Sequence, residues 1–136
     1  MKIALECALI LARKYREIAE EKLTVAEGER KEELQLLADT LAKVPENGAD
    51  TLYEALQSFI ILWETMCLEQ APNPFAFSVG NADRIFEPYR AKDGLSREET
   101  AALFKHFLVF FNVADRSWAI SQNLIVSGRD KYGNDL

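Results

Sequence analysis

Apolar residues recur at helical spacing through most of this chain, and the places where that rhythm breaks divide it into segments. Ile3, Cys7, Ile10, Leu11, Tyr15, Ile18 and Ala19 fall on one side of a helix, with Lys14, Arg16, Glu17, Glu20 and Glu21 largely on the other. The first segment is therefore predicted to be an amphipathic helix with the apolar stripe inward. Gly28 interrupts it. From about Arg30, Leu34, Leu37, Leu41 and Val44 repeat at helical spacing up to Pro45, which predicts a second helix and a helical hairpin over residues 1–44.

Pro45 ends that helix, Glu46-Asn47-Gly48-Ala49-Asp50 has turn chemistry, and Thr51 with Glu54 forms a Thr-x-x-Glu capping box. Leu52, Ala55, Leu56, Phe59, Ile60 and Trp63 stripe one face of the helix this predicts over 51–70. Phe59-Ile60-Ile61-Leu62-Trp63 is apolar on every side, so the helix is expected to be the central element, enclosed by neighbours. Pro72, Pro74 and Gly80 then break regularity and predict a Pro-containing loop over 71–95, packed through Phe75 and Phe77. A second capping box, Ser96 with Glu99, starts a helix over 96–114 that carries Leu103, Phe104, Phe107, Leu108 and Phe111 and is apolar nearly all round.

Leu124-Ile125-Val126 predicts a short strand over 123–127, and Asp130-Lys131-Tyr132-Gly133 a turn out of it. A lone strand leaves backbone donors and acceptors unpaired, so its partner is expected beyond Leu136 and the 136 residues are expected to be a single partial domain. The fold class is mainly α, with at most a short C-terminal β strand.

A chain of this length typically buries about two thirds of the surface exposed when unfolded, which sets the expectation of one core. A 49% hydrophobic and 28% charged composition argues against disorder along the whole chain. The net charge of -6 has the wrong sign for a phosphate backbone, so no nucleic acid partner is expected. Charges interrupt every apolar stretch well before the ~20 residues that span a bilayer, so no membrane span is expected. The start, Met1-Lys2-Ile3, lacks the apolar core and cleavage site of a signal peptide, and the expected location is cytoplasmic. Cys7 and Cys67 lie far apart within helical patterns and are expected to be buried free thiols in a reducing compartment.

Few residues carry a chemical signal. His106, the single histidine, has no sequence partner that would make it an acid or base, and a packed or solvated helix position is its ordinary fate. Glu64 and Glu69 on the central helix could face Asp83 and Glu87 as paired carboxylates, although such charges are more often solvated. Gly80 and Gly128 lie outside any phosphate-loop spacing and suit turns. Phe104, Phe107, Phe110 and Phe111 could line a pocket, but aromatics at helical spacing are more often core. No catalytic, cofactor-binding or metal residue is assigned.

The order of features resembles the pyruvate formate-lyase-like part of the glycyl radical enzymes. The resemblance rests on Arg30-Lys31-Glu32-Glu33-Leu34, Val44-Pro45, Glu54-Ala55-Leu56-Gln57-Ser58-Phe59, Ser78-Val79-Gly80-Asn81-Ala82-Asp83-Arg84 and Glu87-Pro88-Tyr89. It continues in Asn123-Leu124, Gly128, Asp130, Gly133 and Asp135. Two positions depart from the family pattern: Asn81 stands where the family usually has Arg, and Arg84 where it usually has Gln, which bears on the substrate class. Asp83 matches the family's aspartate, and the resemblance implies that it braces this loop or lines the cavity.

The resemblance implies an N-terminal to central segment of the α/β-barrel shell, forming part of the wall around the barrel and inactive alone. The parent enzyme would be a radical lyase, acyltransferase or dehydratase of anaerobic metabolism, formate acetyltransferase-like. It would carry a glycyl radical installed by a radical S-adenosylmethionine activating enzyme. The family's radical-bearing glycine motif and barrel cysteine are not in this sequence, and neither Cys7 nor Cys67 takes the latter role. The implied partner is the remainder of the parent enzyme. A stand-alone helical interaction module, self-associating through apolar faces, and a small-ligand-binding domain are the alternatives.

Overall fold

The computed structural model describes residues 2–70, 78–113, 123–129 and 132–134. The elements are α1 (Lys2–Leu23), α2 (Gly28–Lys43), α3 (Leu52–Gln70), β1 (Ser78–Asn81), α4 (Ala82–Asp93), α5 (Arg97–Val113) and β2 (Asn123–Ile125). The protein is mainly helical, and α3 touches each of the other four helices.

Both capping boxes close. The Thr51 hydroxyl accepts the Glu54 N–H at 3.1 Å and the Glu54 carboxylate accepts the Thr51 N–H at 3.3 Å. Ser96 and Glu99 exchange the same pair of bonds at 3.2 and 2.9 Å. Each box satisfies two amides that the first turn of a helix leaves without partners.

The main core lies where the inward stripe of α3 meets α4 and α5. Leu52, Leu56, Ile60 and Trp63 are buried together with Phe86 of α4 and Phe107 and Phe111 of α5. The rings interlock edge to face, Phe59 on Phe107 at 5.5 Å and Phe86 on Phe107 at 6.1 Å between centroids, the arrangement that aligns ring edges with ring faces. Enclosure of α3 is incomplete at Leu62, which is 41% exposed. On α5, Val109 and Phe110 are likewise exposed, so its apolar girdle is only half covered.

The α1–α2 hairpin packs against another side of α3, and here the expected stripe is corrected. Of that stripe Ala19 is buried as expected and Leu11 half-buried, but Ile3, Ile10, Tyr15 and Ile18 are exposed, and Ala8 and Ala12 complete the inward face instead. Ala12 meets Leu41 and Ile61, and Ala19 meets Leu34 and Ala38. Alpha-helices approach closely where their facing residues are small, and both stripes have helical spacing, so periodicity alone could not choose between them. Cys7 rides on the outward side and is exposed, correcting its expected burial. Cys67 is half-buried, and both thiols are free.

The expected loop over 71–95 contains β1 and α4. Asn81 caps α4 by accepting the Arg84 N–H at 3.1 Å, and Gly94 closes it in the left-handed conformation with φ 64°. Pro88 inside α4 concealed this helix, because an internal proline removes one backbone donor and ordinarily ends the pattern. β1 was concealed by its shortness and by Gly80 and Asn81, both poor strand formers. The expected burial of Phe75 and Phe77 falls outside the described residues.

β2 finds its partner upstream. It pairs in parallel with β1, with Ser78 opposite Asn123, Gly80 opposite Leu124 and Asn81 opposite Ile125, and with an irregularity between Ser78 and Gly80. The reading of β2 as a lone strand is thus corrected: it looked lone because β1 does not read as a strand.

Candidate functional site

The β1–β2 pair brings together two stretches more than 40 residues apart in sequence. The Ser78 hydroxyl donates to the Asn123 carbonyl at 3.1 Å and accepts the Gly80 N–H at 3.0 Å. At the other end of the pair, the Asp83 carboxylate accepts the N–H of Ser127, a residue with φ 65°. Asp83 sits in the first turn of α4, where a negative charge is also favoured by the helix dipole.

The Asn81 side chain faces two ways. Its Oδ1 caps α4, and its Nδ2 lies only 2.6 Å from where a Cβ would stand on Gly128. Glycine at 128 permits this close approach, since a Cβ would have to push the Asn81 side chain aside. An arginine at position 81 could not cap in this way, because a guanidinium has no acceptor. Arg84 is exposed, and it is its backbone N–H that takes part. Gly80, in contrast, has φ 79° and serves backbone geometry.

Beside β1 lies an open groove of about 460 Å³, lined by Pro45, Phe59, Leu62, Ile85 and Tyr89 with Ser58 among the polar groups. One side of it is the turn that begins at the cis Val44-Pro45 bond. Charges clamp this turn. Lys43 Nζ lies 2.7 Å from both Asp50 and Glu54, Lys92 of α4 reaches Asp50 at 2.6 Å, and Arg13 of α1 reaches Glu46 at 3.4 Å.

Hydrogen bonds from Lys43, then Lys92, hold the Asp50 carboxyl down at about 2. At Glu54 burial is the largest influence and pushes upward. It is outweighed by the bonds from Lys43 and from the Asp50 and Thr51 amides, so the net direction is down. Asp50 and Lys92 are exposed, and solvent screening leaves pairs of that kind with only a modest contribution.

The carboxylates that could have formed a pair take separate partners. Glu87 is bound by Arg90 through two bonds of 2.6 Å, and Glu69 is exposed. Glu64 is half-buried and accepts the hydroxyl of Tyr15, which links α3 to α1. Burial raises its pKa more than this bond lowers it. One turn further, the Cys67 thiol is pushed up to about 11, first by burial and then by the charge of Glu64.

His106 is exposed, its ring 4.8 Å from that of Phe110. Phe107 and Phe111 are core, with Phe104 packed on them. Among the described residues the buried Trp63 indole N–H has no hydrogen-bond partner. Among the described residues no group of three or more His, Cys, Asp or Glu is placed to hold a metal ion, and no helix is long and apolar enough to cross a membrane.

Sequence reasoning singled out Asp83 but missed Ser127, the capping role of Asn81 and the clamp through Asp50. Asn81 three residues before Arg84, with Gly94 after a basic turn, was the available signal for α4.

The model of the pyruvate formate lyase-like family matches residues 1–136. Among solved structures, the chain is similar to a glycyl radical enzyme from Archaeoglobus fulgidus, with a TM-score of 0.82 and 27% sequence identity. That likeness covers 94% of this chain and 18% of the archaeal one, so the chain spans less than a fifth of that enzyme's length. No curated protein matches the sequence. With the family model matching from the first residue to the last, the chain belongs to the pyruvate formate lyase-like family.

Proposed function

We propose that this chain acts as the helical shell and one cavity wall of a glycyl radical enzyme, and that it is inactive alone. The observation that carries this reading is the match of a single family model over residues 1–136, and it is supported by the likeness to the archaeal enzyme. The meeting of Ser78–Arg84 with Asn123–Gly128 is in accord with it, since the two stretches that resemble family motifs form one structural unit. On this reading the radical-bearing glycine and the hydrogen-abstracting cysteine belong to the remainder of the parent enzyme. A radical S-adenosylmethionine activating enzyme would install the radical, and the chemistry would be that of a lyase, acyltransferase or dehydratase in the cytoplasm.

The test is the coding sequence that surrounds these residues, followed by electron paramagnetic resonance. A reading frame that continues into a barrel cysteine and a terminal glycyl motif, with a glycyl signal after activation of the full product, is the expected result. The 136-residue chain should stay silent under the same treatment. A frame closed at both ends of this sequence would overturn the proposal.

A second reading, a helical interaction module, draws on the exposed Ile3, Leu5 and Ile10 of α1 and Val109 and Phe110 of α5. Concentration-dependent self-association in sedimentation would favour it. The groove beside Pro45 is the place where a small ligand would fit, and a rise in melting temperature on ligand addition would reveal one.

A further inference from the structure

We infer that Asp83 and Asn81 are positioning residues which lock the start of α4 to the turn leaving β2, so that the two open and close as one joint. The inference rests on the fold alone and stands whether or not the enzyme reading holds.

Three contacts, independent in chemistry, meet at this place. The Asp83 carboxylate accepts the Ser127 N–H from across the chain. The Asn81 side chain is held at one end by the Arg84 N–H and lies at the other against Gly128, with no room for a Cβ between them. The backbones of β1 and β2 are paired up to Asn81 and Ile125, immediately before these contacts.

The physical need for such a lock follows from the sheet. A two-stranded sheet is marginal in water, and here β2 has three residues, with Ile125 and the following Val126 exposed. Backbone pairing by itself would let β2 fray. Ser127 has positive φ without being glycine, a conformation that persists where the surroundings determine it. The Asp83 bond is such a determinant. Because Asn81 is at once the cap of α4 and the neighbour of Gly128, a side chain added at Gly128 would push on the group that caps the first turn of α4.

Amide hydrogen exchange on the 136-residue chain, read residue by residue by NMR, tests this. Asp83→Ala should speed exchange at Ser127 by about tenfold or more and leave the α1–α2 hairpin unchanged, as expected of a local opening. Asp83→Asn, which keeps an acceptor oxygen, should restore much of the protection. Gly128→Ala should speed exchange at the Arg84 amide, far away in sequence, because it displaces the Asn81 cap. Unchanged exchange at Ser127 in Asp83→Ala, or at Arg84 in Gly128→Ala, would overturn the joint. Loss of the whole fold in Asp83→Ala would also overturn it, since the lock is claimed to be local.

Discussion

The carboxylate of Asp93, the last residue of α4, accepts the backbone N–H of Leu52, the first residue of α3, at 2.6 Å. A helix start leaves its first amides without partners, and Leu52 is fully buried, so this donor needs an acceptor from the protein. The Thr51–Glu54 box satisfies two other amides, of Glu54 and Thr51, and Asp93 adds a further acceptor from 41 residues away.

Asp93→Ala should therefore destabilise the fold by about 1–2 kcal/mol, the range for losing a cap or a hydrogen bond to a charged group. Asp93→Asn, which retains an acceptor, should lose less. Urea unfolding of the three proteins measures the difference, and equal midpoints would show that water replaces the carboxylate without loss.

Acid should loosen the turn beside the groove. The Asp50 carboxyl is held at about 2 by Lys43 and Lys92, against an ordinary value of 3.8. A depressed carboxylate stabilises the folded state above its ordinary pKa, and that contribution is lost as pH falls from about 3.8 towards about 2. The parent protein should exceed Asp50→Asn in melting temperature at pH 6, with the gap closing by pH 2 and shrinking in high salt. A gap that persists at pH 2 would mean that the ion pairs are not its source.

Glu64 should act in the opposite sense. Its pKa is raised, first by burial, above the ordinary 4.5, so the fold favours the protonated form. That preference is fully expressed below the ordinary value and is lost as pH rises through the raised one. Glu64→Gln keeps an acceptor for the Tyr15 hydroxyl and removes the charge. It should be more stable than the parent at pH 8, with the advantage fading as pH falls to 4.5. Thermal melts across that range decide the matter, and an advantage that grows on acidification would refute the assignment.

The two thiols should separate kinetically. Cys7 is exposed, whereas Cys67 is half-buried and its thiol is pushed up to about 11 by burial and then by Glu64. The thiolate is the reacting species, so at pH 8 Cys67 should lag Cys7 by at least about tenfold in disulfide exchange with an aromatic disulfide. Single-cysteine variants, Cys7→Ser and Cys67→Ser, assign the phases. Comparable rates would place Cys67 in a more open environment than the packing beside Glu64 allows.

The helices with strong local signals were legible in the sequence: α3 and α5 from their capping boxes and aromatic stripes, and α2 from its leucines up to Pro45. These signals are short-range, since a cap and an apolar period involve residues within a few turns of one another. Family membership was legible for a similar reason, because it rests on ordered short motifs that run the length of the chain.

Tertiary structure decided the rest. Whether α1 buries its alanines or its isoleucines depends on how closely α2 and α3 approach, and both stripes satisfy the same periodicity. The pairing of Ser78–Asn81 with Asn123–Ile125 depends on contacts across more than 40 residues, and four residues containing Gly80 and Asn81 carry too little strand preference to announce it. The links from Asp83 to Ser127, Asp93 to Leu52 and Lys92 to Asp50 have the same character. Each is a charged side chain on α4 meeting a distant group. A charge on a helix reads as a solvated face until the fold brings a donor or an opposite charge beside it.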